Sequence, residues 1–199
     1  MGNDEVHPRV LKENSIAKPL SLLFIKSYRT GEVPKEMREA NVTPLHNKGS
    51  KLEAANFRPV SLTSVVCKIM ELIIKDVIFS HLLNNNLISK CQHRFIPNKS
   101  CVTNLLETLD FLSQSIHMKK AIDIIYLDFC KAFDKVPHKR LIYKLRCYGL
   151  NDKLIELIQA FLTGRRQRVV LGKACSSWKE VISGVPQGSV LGPIFLLFL

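Results

Sequence analysis

Ala121-Ile122-Asp123-Ile124-Ile125-Tyr126-Leu127-Asp128 is a short apolar run, rich in β-branched and aromatic side chains, that closes on an acid. At this length a buried strand is favoured over a helix, because β-branched side chains pack well on a pleated surface and a helix needs more residues. A carboxylate at the end of a buried strand is costly to desolvate, so it must meet a cation or take a raised pKa. The run therefore predicts a strand that delivers Asp128 to a cleft holding a divalent metal or a basic side chain. The plainer alternative is a strand-end aspartate that caps the next turn.

Upstream of this run the periodicity is helical. Ile16, Leu20, Leu23, Phe24 and Tyr28 predict a helix over residues 15–30, stopped by Gly31. Residues 31–55 are polar and broken by Pro34, Pro44 and Gly49, with room for a short strand over 40–46. A second helix is expected over 64–83, capped by Ser64, with Val65, Ile69, Leu72, Ile73, Phe79 and Leu83 as its buried stripe. A third opens at Ser100 and carries Val102, Leu105, Leu106, Leu109, Leu112 and Ile116 on one face. Downstream, helices over 138–148 and 151–163 end at Gly149 and Gly164. Residues 168–172 and 178–183 then suggest a hairpin, followed by a Gly- and Pro-rich turn over 184–193. Helices, one buried strand, more helices and a hairpin, without regular βαβ alternation, give the class α+β.

Apolar residues make up 46% and charged residues 23%, which supports a packed core and excludes intrinsic disorder. The formal net charge of +12 points to a polyanion as partner, with nucleic acid the first candidate. Residues 139–179 hold ten Lys or Arg against Asp152 and Glu156, a net of +8 out of that +12. A phosphate-tracking surface needs such concentration; mere solubility does not. The six cysteines (67, 91, 101, 130, 147 and 175) form no C-x-x-C pair and read as reduced thiols serving as small buried apolar residues. No apolar run is long enough to span a membrane. The sequence stops on Ile194-Phe195-Leu196-Leu197-Phe198-Leu199, which reads as an element begun and not finished. That run is expected to expose an apolar face.

Several motifs stand in one order along the chain. Tyr126-Leu127-Asp128-Phe129-Cys130-Lys131-Ala132-Phe133-Asp134-Lys135-Val136-Pro137-His138 resembles the first catalytic motif of non-LTR, LINE-like retrotransposon reverse transcriptases. Ser183-Gly184-Val185-Pro186-Gln187-Gly188-Ser189-Val190-Leu191-Gly192-Pro193 resembles their nucleotide-binding turn, and Asn56-Phe57-Arg58-Pro59-Val60-Ser61-Leu62 their fingers segment. Gln92-His93-Arg94-Phe95 is similar to a stretch that usually reads Gln-His-Gly-Phe, and Gly164-Arg165-Arg166-Gln167-Arg168 also fits. The resemblance runs from about residue 31 to 193 and is nearest in flavour to chicken-repeat-type elements.

The resemblance implies the fingers and partial palm of a right-hand polymerase over residues 31–199, with helices on a small antiparallel sheet and residues 1–30 as a helical extension. It implies an RNA-directed DNA polymerase acting on an RNA template, a DNA primer and deoxynucleoside triphosphates. No membrane partner or stable oligomer is expected, and an intracellular place, nucleus or cytoplasm, is. Asp128 would bridge catalytic Mg²⁺ ions, with the Phe129 carbonyl as a further ligand. Phe133 would be the steric gate against a ribose 2′-OH. Gln187 would lie against the incoming nucleotide, where Gly188 permits close backbone approach. Arg58 would grip the triphosphate with its forked guanidinium, assisted by Lys48 or Lys51.

The match also departs from the family pattern. The remaining family carboxylates come from an aromatic-Ala-Asp-Asp hairpin, and this sequence contains no Asp-Asp pair. Nor are the thumb and upstream endonuclease of such elements in it. Arg94 replaces the usual Gly, and Ile194-Phe195-Leu196 replaces a continuation with Asn-Asp, both consistent with a decayed genomic copy. The expectation is a truncated and catalytically incomplete chain, with a non-catalytic nucleic-acid-binding remnant or a domesticated fragment as the alternative.

Overall fold

The computed structural model describes Gly2, Asp4 and residues 6–198, which fall into two units, Met1–Phe79 with Lys131–Leu199 and Ser80–Cys130. The first unit is built on a five-stranded sheet. Strand β1 (Glu39–His46) is at its centre and pairs antiparallel with β2 (Phe57–Leu62) and parallel with β3 (Arg166–Leu171). Two short strands, β4 (Ala174–Cys175) and β5 (Lys179–Glu180), return antiparallel along β3. The sheet is therefore mixed, not antiparallel as expected. The parallel β1–β3 pair has the intervening helices as its crossover, which a hairpin-only sheet could not provide.

The helices around this sheet are α1 (Ala17–Thr30), α2 (Lys35–Arg38), α3 (Val65–Asn84), α5 (His138–Cys147), α6 (Asp152–Leu162) and α7 (Leu191–Phe195), with α4 (Cys101–His117) in the other unit. Their ends follow the sequence signals. Gly31 closes α1 in the left-handed conformation, its N–H donating to the Ser27 carbonyl, and Ser64 Oγ accepts the Cys67 N–H at the start of α3. Asn151 caps α6, whose Leu154, Ile155, Leu157, Ile158, Phe161 and Leu162 are all buried. An apolar cavity of about 710 Å³ lies among α1, α3 and α6.

The α3 stripe is phased differently from the expected one. Cys67, Met70, Ile74, Ile78, Phe79 and Leu82 are buried with Glu71, while Leu72, Ile73 and Leu83 are exposed. The helix is apolar nearly all round, so periodicity alone could not choose its inner face. The terminal run is also corrected. Ile194, Phe195 and Phe198 are buried, α7 continues into a 3-10 turn over Leu196–Phe198, and the Phe198 ring meets Tyr148 edge-on at 5.0 Å. The expected exposed face is instead packed within its own unit; Leu199 lies outside the described residues. All six cysteines are free, but only Cys67 is buried, so the expectation of six buried thiols holds for one.

In the second unit α4 opens on a capping box formed by Ser100 and Thr103. His93 is buried and bridges the preceding loop to this helix, its ring nitrogens meeting Thr103 Oγ1 at 3.0 Å and Glu107 Oε2 at 2.9 Å. The left-handed backbone of this loop falls on Phe95 (φ 60°), not on Arg94, so the Arg-for-Gly replacement there carries no backbone strain. Val102, Leu105, Leu106, Leu109 and Ile116 form the expected face of α4, yet they are exposed.

Residues 121–127 are not a strand. The stretch forms no ladder, and Ile125, Tyr126 and Leu127 are 82%, 86% and 87% exposed. Strand propensity becomes a strand only where another edge accepts its backbone hydrogen bonds, and no such edge faces it among the described residues of its unit.

Candidate functional site

The turn that follows β5 is anchored to three parts of the first unit. Its first anchor is the segment Phe133–Lys135, a short 3-10 turn, with Val136 behind it. Gly184 N–H donates to the Val136 carbonyl (2.9 Å), Val185 N–H to the Phe133 carbonyl (2.7 Å) and Ser183 Oγ to the Asp134 carbonyl (3.3 Å). His138 Nε2 lies 2.7 Å from the Gly184 carbonyl, which fixes that nitrogen as the donor. Gly184 has φ 85°, and a Cβ there would stand 2.8 Å from the carbonyl oxygens of both Phe133 and Asp134. Only glycine lets these two segments come this close.

The second anchor is β2. Ser61 N–H donates to the Gln187 carbonyl at 2.7 Å. Gly188 has φ 117°, and a Cβ there would meet the Ser61 carbonyl oxygen at 2.7 Å. The third anchor is α3, through Glu71. Its Oε2 accepts the N–H groups of Val190 (2.7 Å) and Leu191 (2.9 Å), and its Oε1 faces the Cys67 thiol at 3.5 Å. Burial pushes the Glu71 carboxyl above its ordinary value, and the hydrogen bonds from Leu191 and Val190 and the Arg165 charge only partly oppose this. Cys67 is pushed well up by the same burial and by Glu71.

Arg165 is the largest fully buried side chain described. Its Nη1 donates to the Phe161 carbonyl (3.2 Å), its guanidinium stacks 4.6 Å from the Phe161 ring, and its Nη2 is buried without a partner. Burial lowers its pKa, while Cys67 and Glu71 hold it up. It lines a cavity of about 360 Å³ together with Ala40, Pro59, Ser61, Ser183 and Gln187.

The structure thus brings Phe133, Gln187 and Gly188 into one hydrogen-bonded cluster with Ser61. The Phe133 ring also reaches the turn's far end, 3.4 Å from where a Cβ on Gly192 would stand. Arg58 is exposed on the same strand as Ser61, three residues before it, so their side chains point to opposite faces. Asp128 and Phe129 lie on the exposed stretch that ends the other unit, and the desolvated strand-end setting expected for Asp128 is absent. Among the described residues no three His, Cys, Asp or Glu side chains come together as a metal site. One carboxylate and one carbonyl do not make a magnesium shell, because Mg²⁺ demands six near-octahedral oxygens and gives up water reluctantly.

Sequence reasoning passed over Glu71 and Arg165. A lone acid inside the apolar run Ile69-Met70-Glu71-Leu72-Ile73-Ile74 was the available signal, since a charge amid so much apolar surface needs a partner.

A glycine-latched turn held against a strand of a mixed sheet and the start of a long helix marks this domain. The comparisons with known proteins name it: residues 45–199 match the model of the reverse transcriptase (RNA-dependent DNA polymerase) family, and the chain belongs to that family. Within the family it is a domain of the non-LTR retrotransposon kind. It is 32% identical over 175 residues to the RNA-directed DNA polymerase from mobile element jockey of Drosophila funebris, covering 87% of this chain and 19% of that protein. It is 29% identical over 176 residues to the probable RNA-directed DNA polymerase from transposon X-element of Drosophila melanogaster, covering 88% and 19%. The Nasonia vitripennis Pol polyprotein from retrotransposable element R2 is 26% identical over 182 residues, covering 91% and 17%. The chain thus spans about a fifth of the curated relatives it matches.

Proposed function

We propose that this chain is the fingers and part of the palm of an RNA-directed DNA polymerase, over residues 31–199, with residues 1–30 as a helical extension. Its partners are an RNA template, a DNA primer and deoxynucleoside triphosphates, in the nucleus or cytoplasm. The observation that carries the reading is the latch joining Gln187 and Gly188 to Ser61 on one side and Gly184 to Phe133 on the other. It joins three motifs that are far apart in sequence, as a site shaped around one nucleotide requires. In this reading Gln187 and Gly188 meet the incoming nucleotide, Phe133 gates the ribose and Arg58 takes the triphosphate. Asp128 and the Phe129 carbonyl contribute two ligands to a Mg²⁺ shell that they do not complete unaided. Among the described residues no helix is long and apolar enough to cross a membrane.

The test is binding of a labelled RNA–DNA primer–template by the full chain. Affinity should fall steeply with salt as counterions leave the phosphates. The deoxynucleoside triphosphate that matches the next template base should slow dissociation, and Gln187→Ala or Arg58→Ala should abolish that slowing. Binding that is flat in salt and blind to the matching nucleotide would overturn the reading. A second reading is a nucleic-acid-binding module without catalysis. Salt-dependent binding without any nucleotide effect would select it.

A further inference from the structure

Glu71 is fully buried on a helix face that is otherwise apolar, where a carboxyl without a task would be costly. Its contacts are few and specific. Oε2 takes the backbone N–H groups of Val190 and Leu191, and Oε1 meets the Cys67 thiol. Among the described residues it forms no salt bridge.

The two amides it holds lie on the far side of the Gln187 turn. Ser189 staples that side to the near one, its Oγ donating to the Pro186 carbonyl and accepting the Gly192 N–H, both at 2.9 Å. Pro186 and Gly188 flank Gln187, whose own carbonyl is held by the Ser61 N–H. Ser61 and Glu71 stand ten residues apart on one continuous stretch, the end of β2 and the first part of α3. One segment thus grips the turn on both sides of Gln187.

We propose that Glu71 is a positioning residue: by holding the Val190 and Leu191 amides it sets where Gln187 meets the incoming nucleotide. This rests on the reading of Gln187 given above. The geometry asks for an acceptor oxygen at a fixed reach rather than for a charge. The amide oxygen of a glutamine has the same reach and two lone pairs for the two N–H groups. An aspartate keeps the charge but draws the acceptor back by about 1.5 Å, one carbon–carbon bond. A misplacement of about 1 Å, even remote from the reacting atoms, can cost about a hundredfold.

The full chain is bound to the labelled RNA–DNA primer–template, and its dissociation is timed with and without the matching deoxynucleoside triphosphate. The ratio of the two rates is read within each variant, so a general loss of affinity cancels. Glu71→Gln should keep most of the parent's ratio, whereas Glu71→Asp should bring the two rates close together. Val190→Pro reaches the same link from the other side. It deletes one donor at a φ of −79°, which proline accepts, and should also weaken the nucleotide effect. Hydrogen exchange at the Val190 and Leu191 amides should quicken in Glu71→Asp and stay slow in Glu71→Gln. A nucleotide effect lost in Glu71→Gln, or kept in full by Glu71→Asp or Val190→Pro, would overturn the proposal and leave the reading of Gln187 standing. Should Glu71→Asp not fold, Glu71→Gln and Val190→Pro decide by the same ratios. A parent chain whose two rates are equal would overturn the reading of Gln187 and this proposal with it.

Discussion

Ser61 and Gln187 are joined through their backbones, the Ser61 N–H donating to the Gln187 carbonyl across 2.7 Å, and the next residue, Gly188, passes so close that a Cβ would strike the Ser61 carbonyl oxygen. Gly188→Ala should therefore break this latch as well as strain a backbone at φ 117°. Holding a residue with a side chain in such a conformation costs about 1–3 kcal/mol before the clash is counted. Gly172→Ala is the control, because Gly172 is left-handed too (φ 58°) but has open space around its Cβ position. Urea denaturation should show the larger loss for Gly188→Ala, and hydrogen exchange should show the Ser61 amide deprotected in that variant only. Equal losses would mean that conformation alone matters.

Glu71 should make stability pH-dependent with a definite sign. Its carboxyl is raised in the folded protein from an ordinary 4.5, mainly by burial. Between the unfolded and folded values the native state holds more protons than the unfolded state, so its stability contribution is full below about pH 4.5 and is lost as pH rises through the folded value. Glu71→Gln cannot ionise and keeps an acceptor for the Val190 and Leu191 N–H groups. The stability of the native chain minus that of Glu71→Gln should thus decline from pH 4.5 upward and level off once Glu71 is ionised. Glu71→Ala leaves both N–H groups without this acceptor and removes a negative charge acting on buried Arg165, and should lose several kcal/mol, at about 1–3 kcal/mol for each unsatisfied buried group. A difference curve that rises with pH would contradict the assignment.

The purified chain should not extend a primer on an RNA template with either Mg²⁺ or Mn²⁺. Asp128 is the one family carboxylate recognisable in the sequence, and in-line nucleotidyl transfer by two metals needs a larger oxygen set. Gel analysis of a labelled primer checks this. Template-dependent synthesis that disappears in Asp128→Ala would refute it.

The parts of this fold legible in the sequence were those set by local chemistry. Gly31, Ser64, Ser100 and Asn151 punctuate their helices where periodicity put the boundaries. The turn at Gln187 and Gly188 was legible as well, because its glycines answer to close backbone approaches. What depended on partners was not legible. The Ile122-to-Leu127 run has the composition of a buried strand but no neighbouring edge among the described residues of its unit, and α3 is too uniformly apolar to declare which face Glu71 occupies. The parallel pairing of β1 with β3 joins residues 127 apart in sequence (Glu39 with Arg166), a relation no local pattern encodes.

The last expectation concerns Phe198, whose ring stands edge-on to Tyr148 at 5.0 Å and 84°, with the side chain 2% exposed. Six wet apolar side chains would favour association, so if the terminal run were exposed, as the sequence leads one to expect, its removal would improve solubility. The packing of Ile194, Phe195 and Phe198 reverses that sign. Phe198→Ala should cost about 3–5 kcal/mol, the range for emptying a buried aromatic site. Deleting residues 194–199 should cost more, because it also uncovers the apolar surfaces on α5 against which the 3-10 turn packs. Both effects are large against a domain's usual margin of about 5–15 kcal/mol, so the deletion should leave a chain that melts without cooperativity. Calorimetry of the three proteins checks this. A deletion variant as stable as the parent would mean that the terminal turn does not pack in solution as described, and the expectation of an exposed, dispensable tail would return.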